Sequence, residues 1–231
     1  MRILFVAADK MEYAGLLPHS ADVRPLRLGI DWARDAHLGH HQILLTANGA
    51  GATRAAAAVD AACAAFHPEA VVSTGFCGAL DPALSVASIV VATCVRADAA
   101  EYPALPVLSA AAFSTGPIRS IGHVARTAEE KRLLRAAGAC AVEMEAAGVA
   151  ARALAIGLPF YCIRAVTDLA DEDLQNDFNK AMRSDGHFDT ISILRSALRY
   201  PAARLPELVR LRSRCLSASR ALGSFLANCR F

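Results

Sequence analysis

Aromatic residues are scarce, at 6% of 231 residues with one tryptophan, and net charge is nearly absent, at +2. Taken whole, that balance excludes a nucleic-acid or membrane role resting on bulk charge. Disorder is excluded as well. It needs low hydrophobicity and high net charge, whereas 55% of this chain is hydrophobic and 20% charged. Long apolar runs are missing: the longest uncharged apolar stretch, Pro82 to Val95, falls short of the roughly 20 residues a spanning helix needs. The apolar start Met1 to Ala8 stops at Asp9-Lys10, too short for a secretory signal core and cleavage site. The seven cysteines are odd in number, contain no C-x-x-C pair and lie mostly in apolar runs. They read as reduced, buried, small hydrophobes, which predicts a cytoplasmic protein. G-x-S-x-G, H-E-x-x-H and P-loop patterns are also missing. A chain of this length buries about 70–75% of its unfolded surface, so its core needs neither disulfide nor metal.

What is present is unevenly placed. Residues 195–231 carry eight arginines against Glu207 alone, a net charge of +7, which leaves −5 on residues 1–194. Short apolar runs at Ile3–Ala8, Ile43–Ala47, Ala70–Thr74, Ser88–Cys94, Cys140–Glu143 and Phe160–Val166 predict buried strands. Helices are predicted at Met11–Leu17, Thr53–Phe66, Ala128–Ala137, Ala146–Ile156, Thr190–Arg199 and Leu208–Ala227. The alternation predicts an α/β domain in three layers, α/β/α, around a mixed, largely parallel central sheet. Ligands of such sheets bind at the carboxyl ends of the strands. The domain is assigned to residues 1–200, with 201–231 as a basic amphipathic helical extension. Pro103, Pro106, Gly116 and Pro117 predict an irregular surface excursion near 98–120.

Five segments at predicted strand ends carry polar chemistry. Glu12 reads either as an acid in the first turn of a helix or as a general base. Asn48-Gly49-Ala50-Gly51 is either a tight turn or a cradle whose backbone meets a ligand. Thr74-Gly75-Phe76-Cys77-Gly78 offers the same choice. In Val142-Glu143-Met144-Glu145, two carboxylates stand in an apolar run, where burial is costly unless they are paired. Carboxylates also accept hydrogen bonds from paired sugar hydroxyls. Thr167 and Asp168 either cap a helix or place an acid at a strand end.

The ordered set resembles the purine nucleoside phosphorylase/nucleosidase superfamily, and most closely its methylthioadenosine/S-adenosylhomocysteine nucleosidase branch. V-E-M-E at 142–145 is the most specific element. Thr74–Gly78 is similar to the family's T-G-S-A-G loop, Ser88–Ala92 to its G-D-I-V-V strand, and Arg164–Asp168 to its R-A-I-S-D motif. The start Met1-Arg2-Ile3 with Glu12 is similar to the family's first strand and catalytic Glu. The resemblance implies an enzyme that cleaves the N-glycosidic bond of a purine nucleoside, a 5′-modified adenosine, by hydrolysis. It implies Asp168 as acid to the base and Glu12 as the group that activates water. Glu145 would hold the ribose hydroxyls, with Met144 packed on the sugar and Glu143 close by. Gly51, Gly75, Phe76, Cys77, Phe160 and Thr167 complete the implied substrate contacts. No metal or redox cofactor is implied, and phosphate is a co-substrate only in a phosphorylase. A homo-oligomer is implied, a dimer being favoured.

The chain departs from the pattern in three places. Phe76 replaces a Ser; Ile121-Gly122-His123-Val124 lacks an acid and an aromatic that flank the base in relatives; and Ser73 stands where phosphorylases carry a phosphate-holding Arg. The last favours water over phosphate, with Arg54 as a candidate compensating cation. The alternatives are phosphorolysis and a nucleoside-binding protein without turnover. Leu208, Leu211, Cys215, Ala218, Leu222 and Phe225 form one apolar helical stripe. That stripe packs on the body or on another subunit, or else rests on anionic lipid at the inner face of a membrane. The D-G-H-F-D segment and the L-P-E-L-V-R-L that follows also look like the hopanoid-associated phosphorylase branch. That likeness implies a lipid-linked adenosine such as adenosylhopane.

Overall fold

The computed structural model describes residues 1–98 and 100–231, so residue 99 of the 98–120 segment lies outside the described residues. The chain runs β1 (Arg2–Ala7), β2 (Ala21–Pro25), β3 (Trp32–Leu38), β4 (His41–Ala47), α1 (Ala52–Phe66), β5 (Ala70–Ala79), β6 (Ile89–Arg96), β7 (Glu101–Pro103), β8 (Ser114–Ser120). It continues through α2 (Ala128–Ala136), β9 (Ala141–Glu143), α3 (Ala146–Ala155), β10 (Phe160–Asp168), α4 (Phe178–Ala181), α5 (Thr190–Ala197) and α6 (Pro201–Ala227).

The strands form one mixed sheet in the order β10-β6-β8-β9-β5-β1-β4-β3-β2, with β7 on β6. A further pairing of β10 with β5 closes β5, β9, β8, β6 and β10 into a ring. Strand β1 shows how the layers arise. Its side chains alternate between faces. Leu4 and Val6 pack with Ala55, Ala58, Val59 and Ala62 of α1 and with the alanines of α3. Ile3, Phe5 and Ala7 pack with Ala218, Leu222, Phe225 and Leu226 of α6. A strand covered on both faces must be apolar throughout, as the sequence of β1 is.

Three segments differ from expectation. Ser114–Ser120 lies inside the 98–120 excursion yet forms β8, an interior strand between β6 and β9. Its Pro117 is accommodated because the pairing with β6 shifts register between Ala92 and Val95, so the missing N–H falls at an irregularity. The helix expected over Met11–Leu17 is two 3₁₀ turns, Lys10–Tyr13 and Leu17–His19. The long C-terminal helix begins at Pro201, earlier than its apolar stripe.

Helix α6 lies against the body. Ser219 Oγ accepts from Gly15 N at 2.9 Å and sits 3.0 Å from Met11 O, within the segment that carries Glu12. Gly15 and Gly223 let the two backbones touch: a Cβ at Gly223 would run into the backbone of Gly15 and Leu16. Helix propensity favours Ala over Gly by about 1 kcal/mol. Overpacking against rigid backbone costs about 1–3 kcal/mol and wins here. Gly223→Ala is therefore expected to lower the thermal midpoint by several degrees, on a scale of about 2–4 °C per kcal/mol for a chain of this size. A raised midpoint in a thermal scan would contradict the close crossing.

Candidate active site

A cleft of about 550 Å³ opens where the expected strand ends converge. Its walls include Glu12, Phe76, Cys77, Glu143, Met144 and Glu145, with Thr167 and Asp168 beside them.

Each side chain has a local reason for its position. Asp9 caps the turn after β1 and Glu12 reaches back to it, a reciprocal capping box. Glu12 Oε2 accepts from Ala8 N at 2.8 Å and Asp9 N at 3.0 Å, and Oε1 accepts from Phe76 N at 2.7 Å. Glu12 thus caps the turn and also lines the cleft. Gly75, at φ +139°, lets β5 pass close to this carboxylate, where a Cβ would collide with it. Burial raises the Glu12 carboxyl, against the pull of Arg164 and the three N–H donors.

The V-E-M-E segment spans the end of β9 and the start of α3. Glu143 Oε2 accepts from the N–H groups of Glu145 (2.9 Å) and Ala146 (2.8 Å), and from Arg164 Nη2 at 2.5 Å. Glu145 Oε1 accepts from Gly51 N at 3.2 Å, and its Oε2 lies 3.4 Å from Arg164 Nη1. Arg164, on β10 with no exposed side-chain surface, also donates to Ser73 Oγ at 2.7 Å and Thr74 O at 3.2 Å. One buried guanidinium therefore faces Glu143 and Glu145 directly, and its field reaches Glu12. Burial first, then the neighbouring Glu143, push the Glu145 carboxyl up to about 8.

Opposite these acids, the β10–β5 pairing is irregular between Val166 and Asp168. Such a bulge re-aims the following side chain, here toward the cleft. Thr167 Oγ1 lies 3.1 Å from Asp168 Oδ1 and 3.3 Å from Cys77 O. Burial holds the Cys77 thiol well above its ordinary range, so it is an apolar wall and no nucleophile.

Most of the residues singled out in the sequence meet here. Phe160 does not. It stands at the opposite end of β10 and packs in the core with α1 and α3, so its role is structural. Arg54 is also corrected as a free cation. Its Nε donates to Asn48 O, and its Nη2 lies 3.0 Å from Asp31 Oδ2, which His187 Nε2 reaches at 2.8 Å. Sequence reasoning missed Arg164, whose signal was a lone charge inside an apolar strand. It also missed the far wall, where Leu174, Phe178, Phe188, Ile193, Leu208 and Leu211 line the cleft. The stripe holding Leu208, Leu211 and Cys215 was visible, but that it faces a cleft was not.

The ends of β1, β9 and β10 thus bring four acids to one rim of an α/β sheet. The chain matches the profile of the Phosphorylase superfamily over residues 3–121 and 95–199, and it belongs to that family. A 5′-methylthioadenosine/S-adenosylhomocysteine nucleosidase of Staphylococcus aureus is 27% identical over 172 residues, covering 61% of this chain and 75% of the relative. The fold matches that of Streptococcus pneumoniae MTA/SAH nucleosidase in complex with 8-aminoadenine, with a TM-score of 0.75 and 17% identity over 99% of this chain and 98% of that one. It also matches futalosine hydrolase of Helicobacter pylori, with a TM-score of 0.74 and 17% identity over 98% of this chain and 95% of the other.

The carboxyl of Glu145 gives the site a pH signature. Between its ordinary value of 4.5 and about 8, the folded protein keeps a proton there that the unfolded chain has released. Stability from this group is therefore full at acid pH and is lost as pH rises through about 8. Glu145→Gln cannot ionise, so its thermal midpoint should gain on the wild type as pH is raised across that window. A gap that stays constant with pH would mean that Glu145 is already charged in the folded protein.

Proposed function

We propose that this chain is an enzyme that cleaves the N-glycosidic bond of a purine nucleoside, a 5′-modified adenosine, by hydrolysis. One observation carries the reading: three carboxylates, Glu12, Glu143 and Glu145, gather around a single buried cation, Arg164, on one side of the cleft. Their excess of negative charge suits the positive, oxocarbenium-like sugar that forms as the bond breaks. Water adds to C1′ and passes a proton to Glu12, while the electron pair of the breaking bond leaves with the purine. Asp168 hands a proton to the purine's imidazole nitrogen. Glu145, when neutral, both donates to and accepts from the ribose diol. Water is favoured over phosphate because the two cations nearest the three carboxylates are engaged, Arg164 by Glu143 and Glu145 and Arg54 by Asp31. The names of the relatives point the same way.

The test is to incubate the protein with methylthioadenosine, S-adenosylhomocysteine and adenosine, with and without phosphate. Adenine is expected without phosphate, and Asp168→Asn should cut turnover by about 10²–10⁴-fold with folding intact. Release only with phosphate would turn the reaction into phosphorolysis. Release from none of the three would overturn the reading.

A second reading concerns the 5′ substituent. The cleft continues into the apolar wall of Phe178, Phe188, Ile193, Leu208 and Leu211, more than a methylthio group fills. Next to it, α5 exposes Ile191 (64%), Leu194 (49%) and, just past its end, Leu198 (59%), with Arg195 and Arg199 interleaved. Apolar side chains among arginines suit anionic lipid, the source of a lipid-linked nucleoside. The inner part of α6 is buried on the sheet, so this contact falls to α5 and the start of α6. Co-sedimentation with phosphatidylglycerol vesicles is expected for the wild type and not for the Leu194→Glu, Leu198→Glu double variant. Wild-type protein that stays in the supernatant would remove this reading.

A further inference from the structure

The chain holds three lysines against twenty-one arginines, and one of the three, Lys131, has no exposed surface. Lysine is rarely buried completely unless paired, because its ammonium loses a strong hydration shell. Lys131 projects from α2 to Asp168 and the loop that follows β10. Its Nζ donates to Asp168 Oδ2 at 2.6 Å, to Leu169 O at 2.6 Å and to Glu172 O at 3.4 Å. All three protons are used.

The framework around it is fixed. Thr127 caps α2 by accepting from Glu130 N at 3.1 Å. Asp173 Oδ1 accepts from Ala128 N at 2.7 Å, and Leu174 N donates to Arg126 O at 2.8 Å. The start of α2 and the loop after β10 are thus tied together, with Lys131 between them.

We infer that Lys131 is a positioning residue for leaving-group departure, acting through Asp168. This rests on the hydrolase reading above. With Oδ2 engaged by the ammonium, Oδ1 is the oxygen left for the proton that the acid role requires. As that proton moves to the purine, negative charge grows on the carboxylate, facing the ammonium at 2.6 Å. Relative to the protonated acid, the interaction is stronger in the transition state, so it speeds the proton-transfer step rather than merely tightening binding. Lys131 itself loses no proton and touches no substrate. A lysine suits the place better than an arginine because it is a compact point charge on a thin stem.

The test uses two leaving groups. Adenine needs a proton as it departs, whereas 4-nitrophenolate does not. In Lys131→Met, kcat for methylthioadenosine is expected to fall by about 10²-fold with KM changed less than about threefold. Cleavage of 4-nitrophenyl riboside should stay within about threefold of wild type, the pattern also expected of Asp168→Asn. Lys131→Arg, which keeps the charge but not its placement, should fall between. Equal losses on both substrates, or no loss on either, would overturn the inference while wild-type activity keeps the parent reading standing. A wild type inactive on every purine nucleoside would overturn both. If Lys131→Met does not fold, the same comparison on Lys131→Arg decides: selective loss on the purine nucleoside supports the role, and equal loss overturns it.

Discussion

Arg164 carries a full positive charge with none of its side chain exposed, and the rim of the cleft is organised by what that burial demands. An unpaired guanidinium in this position would cost several kcal/mol, so its partners must come to it. Glu143 arrives from the end of β9, Glu145 from the start of α3, and Ser73 and Thr74 from β5. Two chain segments far apart in sequence, 73–74 and 143–145, are held within hydrogen-bond reach of one cation on a third. Removing one carboxylate from such a pair is the costly kind of change, about 3–5 kcal/mol, because the remaining charge stays buried without company.

Glu12 belongs to a different arrangement with the same outcome. Its carboxylate is held by backbone N–H groups, and the turn that carries it is pressed into place by α6. The C-terminal helix therefore acts twice. Its inner half anchors the turn through Ser219 and the Gly15–Gly223 crossing, and its outer half supplies Leu208, Leu211 and Cys215 to the cleft wall. The basic charge of this segment is partly spent on the body as well, since Arg214 pairs with Glu172 at 2.6 Å.

Much of this was legible in the sequence, for physical reasons. The central strands are covered on both faces, so they read as short apolar runs, and the acids at their ends stand out against that background. Glu12, Glu145 and Asp168 were found in this way. The edge pair was not legible. β2 is exposed throughout and β3 mixes Arg34, Asp35 and His37 with apolar residues, so neither shows a buried-strand run. β8 was hidden by Gly116 and Pro117, which the register shift tolerates. Lys131 was hidden because α2 is largely polar, and nothing in Ala-Glu-Glu-Lys-Arg says which cation turns inward. Phe160 opens the strand whose far end carries Asp168, and the amino end of such a strand lies away from a cleft formed at the carboxyl ends.

The closed ring of β5, β9, β8, β6 and β10 supplies only one side of the cleft. Arg164 and Glu143 sit on strands of the ring, with Glu145 just past the end of β9. The far side is built from α4, α5, the start of α6 and the loops between them, tied by contacts such as Asn179 on Val124 and Glu207 on Gln175 and Asn176. Substitutions there can reshape what is bound beyond the sugar while the ring stays as it is. The four acids and Arg164 thus rest on the sheet and its strand ends, while the opposite wall rests on helices whose side chains can be exchanged without altering a strand.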